Sequence, residues 1–206
     1  MLVDTHGRSF SYLRLSITDR CNLRCFYCRS CEGLEFIPHE KILTYEELLS
    51  LIGLSDSLGV QKVRLTGGEP FVRKDFIQFL YEIKSKYPAC DVRLTTNGTL
   101  LADKVSKVHD AGLEVINISL DTLDREKYKR ITGRDYFLQV REAIDACLAW
   151  GIRVKINVVA LKGVNDSELE DFVQLALENP LDVRFIEFMP IGEKNIWHED
   201  KYWPIS

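Results

Sequence analysis

Six short runs rich in branched apolar residues, YLRLSIT, KVRLTG, DVRLTT, VINISL, RVKINVV and DVRFIEFM, limit the fold of this chain more than any other feature. Each has the length and residue preference of a β-strand. Between consecutive runs lies a stretch with helical periodicity. TYEELLSLIGLSDSLG opens on a capping box, Thr44 with Glu47, and stops at Gly59, and DFIQFLYEIKSKY halts before Pro88. DKVSKVHDAG ends at Gly112 and FLQVREAIDACLAWG at Gly151, while NDSELEDFVQLAL opens on Asn165 as cap with Glu168 three residues on. A helix between every pair of strands predicts an α/β chain with a parallel sheet and right-handed crossovers, shaped as an open doubly wound sheet or a partial barrel. The 206 residues carry no low-complexity segment or long linker, so one domain is expected over residues 1–206.

Parallel strands buried on both faces normally read as unbroken Val/Ile/Leu runs, but these six alternate. One parity is apolar. The other reads Arg14 and Ser16, Arg64 and Thr66, Arg93 and Thr95, Asn117 and Ser119, Lys155 and Asn157, then Glu187 with Met189. With helices covering the apolar face, the polar set points inward and lines a ligand cavity. An arginine taken into a barrel is costly unless paired, and its pKa does not shift to relieve the cost. Glu69, Asp121 and Glu187 are the candidate internal partners, which would make the set a structural salt-bridge network. Polarity spread over every strand is expensive as architecture alone and favours a small, polar, anionic ligand. At a net charge of −4 nothing global attracts nucleic acid or an anionic membrane, so an anion must be held by a local site.

The segment TDRCNLRCFYC places Cys21, Cys25 and Cys28 directly after the first strand. The N-terminus lacks the uninterrupted apolar stretch of a secretory signal, and no apolar run approaches the ~20 residues that span a bilayer. The expected location is cytoplasmic, a reducing compartment where clustered cysteines point to metal or redox chemistry before a disulfide framework. Structural zinc takes four ligands, usually as two pairs from separate segments, whereas this loop gives three. Three thiolates suit a 4Fe-4S cluster with one iron open to a substrate or cofactor. Cys31 lies three residues beyond Cys28, and as a fourth ligand it would close the site into a zinc knot or an electron-transfer cluster; the spacing does not choose. Cys90 and Cys147 are isolated and read as ordinary buried thiols. His6, His39, His109 and His198 form no pair at ligand spacing and read as surface or loop residues.

Cys-x3-Cys-x2-Cys with Tyr27 before the last cysteine resembles the signature of the radical S-adenosylmethionine (SAM) superfamily, and LTGGEP at residues 65–70 resembles its Gly-Gly-Glu motif. Within that superfamily YLRLSITDRCNLRCFYC, KVRLTGGEP, LTTNG, NISLDTLD, VKINVV, LKGVND and FIEFMPIG, in this order, resemble the GTP 3′,8-cyclase (MoaA) family of molybdenum cofactor biosynthesis over residues 7–192. The resemblance implies a partial (β/α)6 barrel of TIM type, with one 4Fe-4S cluster on Cys21, Cys25 and Cys28. It implies SAM contacts at Tyr27, Gly68, Glu69, Ser119 and Met189, and GTP contacts at Arg14, Arg64, Thr95 and Lys155. The implied activity is that of a lyase in which SAM is cleaved reductively to a 5′-deoxyadenosyl radical that takes hydrogen from GTP. A flavodoxin-like electron donor is implied as a partner, with room for a homodimer.

Two features depart from the family pattern. The family follows its third cysteine with Met-Pro where this chain has RSCEG, and its second cluster sits on three cysteines of a C-terminal region outside these residues. Two other readings stand beside this one: a radical SAM enzyme acting on another substrate, and a non-catalytic module in which Cys21, Cys25, Cys28 and Cys31 hold zinc or a closed cluster. Trp197, Tyr202 and Trp203 are expected to pack on a C-terminal segment beyond the chain.

Overall fold

The computed structural model describes residues 2–28, 36–190 and 197–204. A two-residue antiparallel ribbon, β1 (Leu2–Val3) with β2 (Ser9–Phe10), comes first and is too short to leave a sequence pattern. The six expected strands follow as β3 (Tyr12–Ser16), β4 (Lys62–Thr66), β5 (Asp91–Thr96), β6 (Val115–Ser119), β7 (Arg153–Ala160) and β8 (Leu181–Glu187). All pair in parallel, in chain order from β3 to β8. A doubly wound sheet needs a point where the strand order reverses; a sheet without one curls in a single sense, which makes this an incomplete (β/α) barrel with β3 and β8 as its two edges.

The helices are α1 (Tyr45–Ser57), α2 (Phe76–Lys86), α3 (Val105–Asp110), α4 (Arg125–Thr132), α5 (Phe137–Ala149) and α6 (Leu169–Glu178). The capping box at α1 forms in both halves: Glu47 N donates to Thr44 Oγ1 and Thr44 N donates to Glu47 Oε2. The expected box at Asn165 and Glu168 does not form. Asn165 caps nothing; its side chain accepts from Leu161 N and donates to the carbonyls of Asp121 and Val159. Glu168 is buried and accepts from Thr122 Oγ1, Leu123 N and Lys127 Nζ, so both residues tie the ends of β6 and β7 together instead of starting α6. The pattern Asn-x-x-Glu fits either use, and tertiary bonds win because the segment is buried. The sequence REKYKRIT of α4 is too charged to show an apolar stripe, yet Asp124 caps its start, left-handed Gly133 ends it, and Tyr128 and Ile131 are buried.

One apolar core fills the space between sheet and helices, built from the outward parity of the strands, Val63, Leu65, Leu94, Ile116, Ile118, Val154 and Ile156 among them. Cys90 and Cys147 lie in it, as expected. In β8 the polar parity differs from expectation. The register pairs Lys155 with Asp182 and Asn157 with Arg184, so Asp182 and Arg184 face inward while Val183 and Phe185 pack on the core. Glu187 therefore falls on the outward parity, where Tyr202 Oη donates to it, and Met189 lies beyond the strand end. Both parities of DVRFIEF carry large apolar residues, which hides the phase of the alternation. Among the described residues no helix is long and apolar enough to cross a membrane.

Candidate functional site

The barrel interior is an open cavity of about 830 Å³. Its wall includes Arg14, Lys62, Arg64, Thr95, Asn117, Asn157 and Arg184, and no carboxylate. Arg64 is oriented by Tyr12, whose hydroxyl accepts its Nε, and by Thr95 Oγ1, which accepts its Nη1 at 3.3 Å. The neighbouring Thr96 points the other way and donates to Glu69. Among the described residues none of the expected internal counter-charges forms an ion pair with these cations: Glu69 and Asp121 hold backbone and hydroxyl donors, and Glu187 is bonded by Tyr202. The acids that pair with cations of the strands are Asp91, with Arg93 and Lys62, and Asp182, with Arg153 and Lys155. Lys155 is thus neutralised 2.8 Å from Asp182, and it is not among the residues lining the cavity. Among the described residues no carboxylate pairs with Arg14, Arg64 or Arg184. Sequence reasoning missed Arg184 because it sat on the parity taken as outward.

Above this cavity the C-terminal ends of the strands carry the cysteine loop. It is held at three places. Arg24 N and Phe26 N donate to the carbonyls of Thr132 and Ile131, at the end of α4. Asn97, buried after β5, donates through Nδ2 to Asn22 Oδ1 and approaches Cys21 Sγ at 3.6 Å, and Leu23 N approaches the same sulfur at 3.4 Å. Tyr27 donates a short hydrogen bond, 2.5 Å, to Asp121 at the end of β6, while its ring meets Phe188 edge-on. Asp121 takes Val159 N on its other oxygen, so Cys25 and Cys28 are tied through Tyr27 to two strands at once.

The GGE turn closes against the loop from the β4 side. Gly68 N donates to Thr18 O and Glu69 N to Arg20 O, both at 2.7 Å. Gly67 adopts φ +145°, and a Cβ on either glycine would stand 2.2–2.3 Å from a carbonyl oxygen of residues 18 or 20. Glu69 has no exposed surface and receives Phe71 N, Thr96 Oγ1 and Asn97 N. Ser119 is half-buried at the end of β6, and Met189 is exposed. The structure therefore brings Cys21, Cys25, Cys28, Tyr27, Gly68 and Glu69 into one rim assembly. Asn97, in LTTNG, joins it unpredicted, and Asp121, expected as a counter-charge inside the barrel, joins it instead as the acceptor of Tyr27. Cys31 lies outside the described residues.

Among the described residues no three His, Cys, Asp or Glu side chains converge as ligands of a single metal ion. The donor set nonetheless suits a metal cluster. Burial pushes the Cys25 thiol far up, and the charges of Asp121, Cys28 and Cys21 push it further. Burial also raises Cys21, as do Glu69 and Cys28. Thiols that raise one another in this way favour a cationic soft-metal group that takes up their charge, and N–H groups aimed at Cys21 are the outer-shell donors such a group uses.

Burial raises Glu69 from 4.5 to about 6 and Asp121 from 3.8 to about 6, against the pull of their donors. The native state then holds these protons more tightly than the unfolded chain. Each group contributes stability that is complete below its ordinary pKa and is lost as pH rises through about 6. That contribution is on the order of 2–3 kcal/mol per group. Acids held low by Arg93 and Lys155, Asp91 and Asp182, act only at lower pH. The metal-free chain is therefore expected to gain thermal stability on going from about pH 7 to about pH 5, and Glu69→Gln to flatten the trend. A melting temperature that falls steadily over that interval contradicts this.

In the tail Trp197 donates to Phe188 O and packs on Leu161 and Phe188, and Tyr202 bridges Leu161 and bonds Glu187; Trp197, Tyr202 and Trp203 are each half-buried.

A family model described as "Radical SAM superfamily" matches residues 15–176. Curated relatives include a GTP 3′,8-cyclase of Petrotoga mobilis, 46% identical over 202 residues, covering 98% of this chain and 62% of that protein. Another, of Syntrophomonas wolfei, is 47% identical over 204 residues, covering 98% and 63%. The chain thus spans a little over three-fifths of the length of these relatives. Among solved structures, anSMEcpe with bound AdoMet superposes with TM-score 0.74 at 20% identity, covering 94% of this chain and 54% of that one. Streptococcus suis SuiB bound to S-adenosylmethionine gives 0.72 at 19%, covering 91% and 43%. At such identities these structures bear on the fold, which they share.

Proposed function

The chain belongs to the radical SAM superfamily, and on that footing we propose that it is the barrel of a GTP 3′,8-cyclase-type lyase. The observation that carries the substrate class is the acid-free cavity wall of Arg14, Arg64 and Arg184 beneath a three-thiol loop. Three guanidiniums with no carboxylate partner around one space repel one another until an anion of several charges arrives, and their forked donors match phosphate oxygens. A triphosphate meets both needs.

Cys21, Cys25 and Cys28 are the residues that would hold the 4Fe-4S cluster. When bound, the cluster would supply the single electron that reductive cleavage of SAM requires, the source of the radical chemistry of this superfamily. The chain's own residues provide position. Gly68 lets the rim backbone lie flush under the cysteine loop, and Glu69 fixes that turn while supplying negative charge behind it for the SAM ammonium. Tyr27, Ser119 and Met189 border the same rim and are assigned to SAM. Arg14, Arg64 and Arg184 neutralise phosphate, with Thr95 and Tyr12 turning Arg64 toward it. Lys155 joins them by exchanging Asp182 for phosphate. A chain that works through three reduced thiols belongs in a reducing compartment, which we take to be the cytoplasm, with a flavodoxin-like donor as electron source.

The test is anaerobic reconstitution with iron and sulfide, followed by dithionite, SAM and GTP labelled at the ribose. Brown protein with about four iron and four sulfide, and 5′-deoxyadenosine carrying the label, support the reading. Colourless protein with one zinc and no spectral response to SAM overturns it. Arg64→Ala and Arg184→Ala are each expected to weaken triphosphate binding about tenfold, the loss of one charge-assisted contact. Unchanged affinity in both variants removes the cavity from the substrate site.

A further inference from the structure

The cavity wall is divided by charge. Strands β3, β4 and β8 give it Arg14, Arg64 and Arg184, whereas β5, β6 and β7 give it the neutral Thr95, Asn117 and Asn157. Asn117 is 5% exposed, and its Oδ1 is buried without any hydrogen-bond partner. Its Nδ2 donates to Asn157 Oδ1 at 3.4 Å, which aims the free oxygen away from Asn157. Nearly all buried amide oxygens are satisfied, so an unsatisfied one on a side chain that lines a cavity, brought to the cavity by a small turn of that side chain, calls for a donor from whatever fills it.

The chemistry of a nucleoside triphosphate narrows the donor. Ionised phosphates only accept hydrogen bonds and cannot satisfy Oδ1. Asn157 is the register neighbour of Arg184, and Asn117 is the register neighbour of Thr95, which bonds Arg64. The two amides therefore stand next to the cationic end of the cavity. The group joined directly to the phosphate chain is the pentose, and its hydroxyls are donors. We propose that Asn117, held by Asn157, accepts a hydrogen bond from a ribose hydroxyl and makes the site selective for ribonucleotides over deoxyribonucleotides. This rests on the nucleotide reading of the cavity.

Calorimetric titration of the metal-free 206-residue chain with inorganic triphosphate, GTP, 2′-deoxyGTP and 3′-deoxyGTP tests it without any turnover. The expected result is that one of the deoxy nucleotides binds about tenfold more weakly than GTP, the equivalent of one buried hydrogen bond. Asn117→Ala should close that gap while inorganic triphosphate binds as before. Asn117→Asp, which keeps the acceptor and the shape, should preserve it. Equal binding of GTP and both deoxy nucleotides to the wild-type chain overturns the inference even if every variant misfolds, and so does a gap that survives in Asn117→Ala. Failure of inorganic triphosphate itself to bind overturns the nucleotide reading and this inference together.

Discussion

A Cys25→Ala chain, reconstituted anaerobically, is expected to hold no four-iron centre and to release no 5′-deoxyadenosine from SAM and dithionite. The loss should exceed the roughly 10- to 100-fold that removal of an outer-shell partner costs a metal site. Cys25 is the informative position because its backbone is anchored on both sides independently of its sulfur. Arg24 N and Phe26 N are bonded to the end of α4, Cys28 N donates to Cys25 O, and Tyr27 is fixed on Asp121. Alanine therefore removes a ligand without freeing the loop, and the metal-free melting temperature should stay within a few degrees of the wild type. Cys147→Ala, deep in α5, is the opposite case. It should cost roughly 1 kcal/mol of stability through its cavity and leave iron content unchanged. Cys31→Ala separates the open from the closed cluster. Iron retained there and lost in Cys25→Ala supports three protein ligands, and the reverse pattern refutes them.

How far the sequence carried the argument depended on how local each signal was. The strands and five of the helices were legible because their apolar residues recur at a fixed period, and the inward Arg14, Arg64 and Thr95 followed from strand parity. Helix α4 was not legible because its charged face outweighs two buried residues, and only the caps Asp124 and Gly133 mark it. Yet α4 supplies the carbonyls on which the cysteine loop sits. Arg184 was lost when a strand with apolar residues on both faces was read in the wrong phase. The partners of Asn97, Asp121 and Asn165 were beyond reach for another reason. They lie 75, 94 and 44 residues away, and nothing in a single sequence pairs them.

These long-range bonds divide the labour within the site. Three polar side chains hold the rim together: Glu69 takes three donors, Asp121 two, and Asn97 is spent on Asn22, Thr99 and the approach to Cys21. They make a rigid seat, the condition under which a metal site keeps its geometry. Polar groups inside the barrel are left with spare capacity, three guanidiniums and the Asn117 oxygen. Satisfied groups support and unsatisfied groups recognise. Of these the Asn117 oxygen alone carries the penalty of an unpaired buried polar atom, whereas Arg14 and Arg184 are open to solvent and are marked out by having no carboxylate partner.

The seat is exposed to damage at Gly68, where alanine is expected to have a large effect on folding through steric conflict alone. The new Cβ would lie 2.2 Å from Arg20 O, 2.5 Å from Arg20 C and 2.9 Å from Asp19 O. All three are backbone atoms, so no side chain can swing aside. Either the turn lifts, breaking the 2.7 Å bonds from Gly68 N to Thr18 O and from Glu69 N to Arg20 O, or the cysteine loop is pushed off the barrel. Two lost backbone bonds and the steric conflict together amount to about 3–5 kcal/mol, a large share of the roughly 5–15 kcal/mol that holds a domain folded. Chemical denaturation of the metal-free variant should show its midpoint lowered accordingly, and reconstitution should yield little iron. Gly163→Ala is the matched control. Gly163 has a positive φ, which Gly68 does not, and meets nothing within 4 Å, so its alanine should cost only the backbone strain, about 1 kcal/mol, with iron uptake intact. If Gly68→Ala is no worse than Gly163→Ala, the GGE turn does not press on the cysteine loop, and the rigid seat is lost from the mechanism.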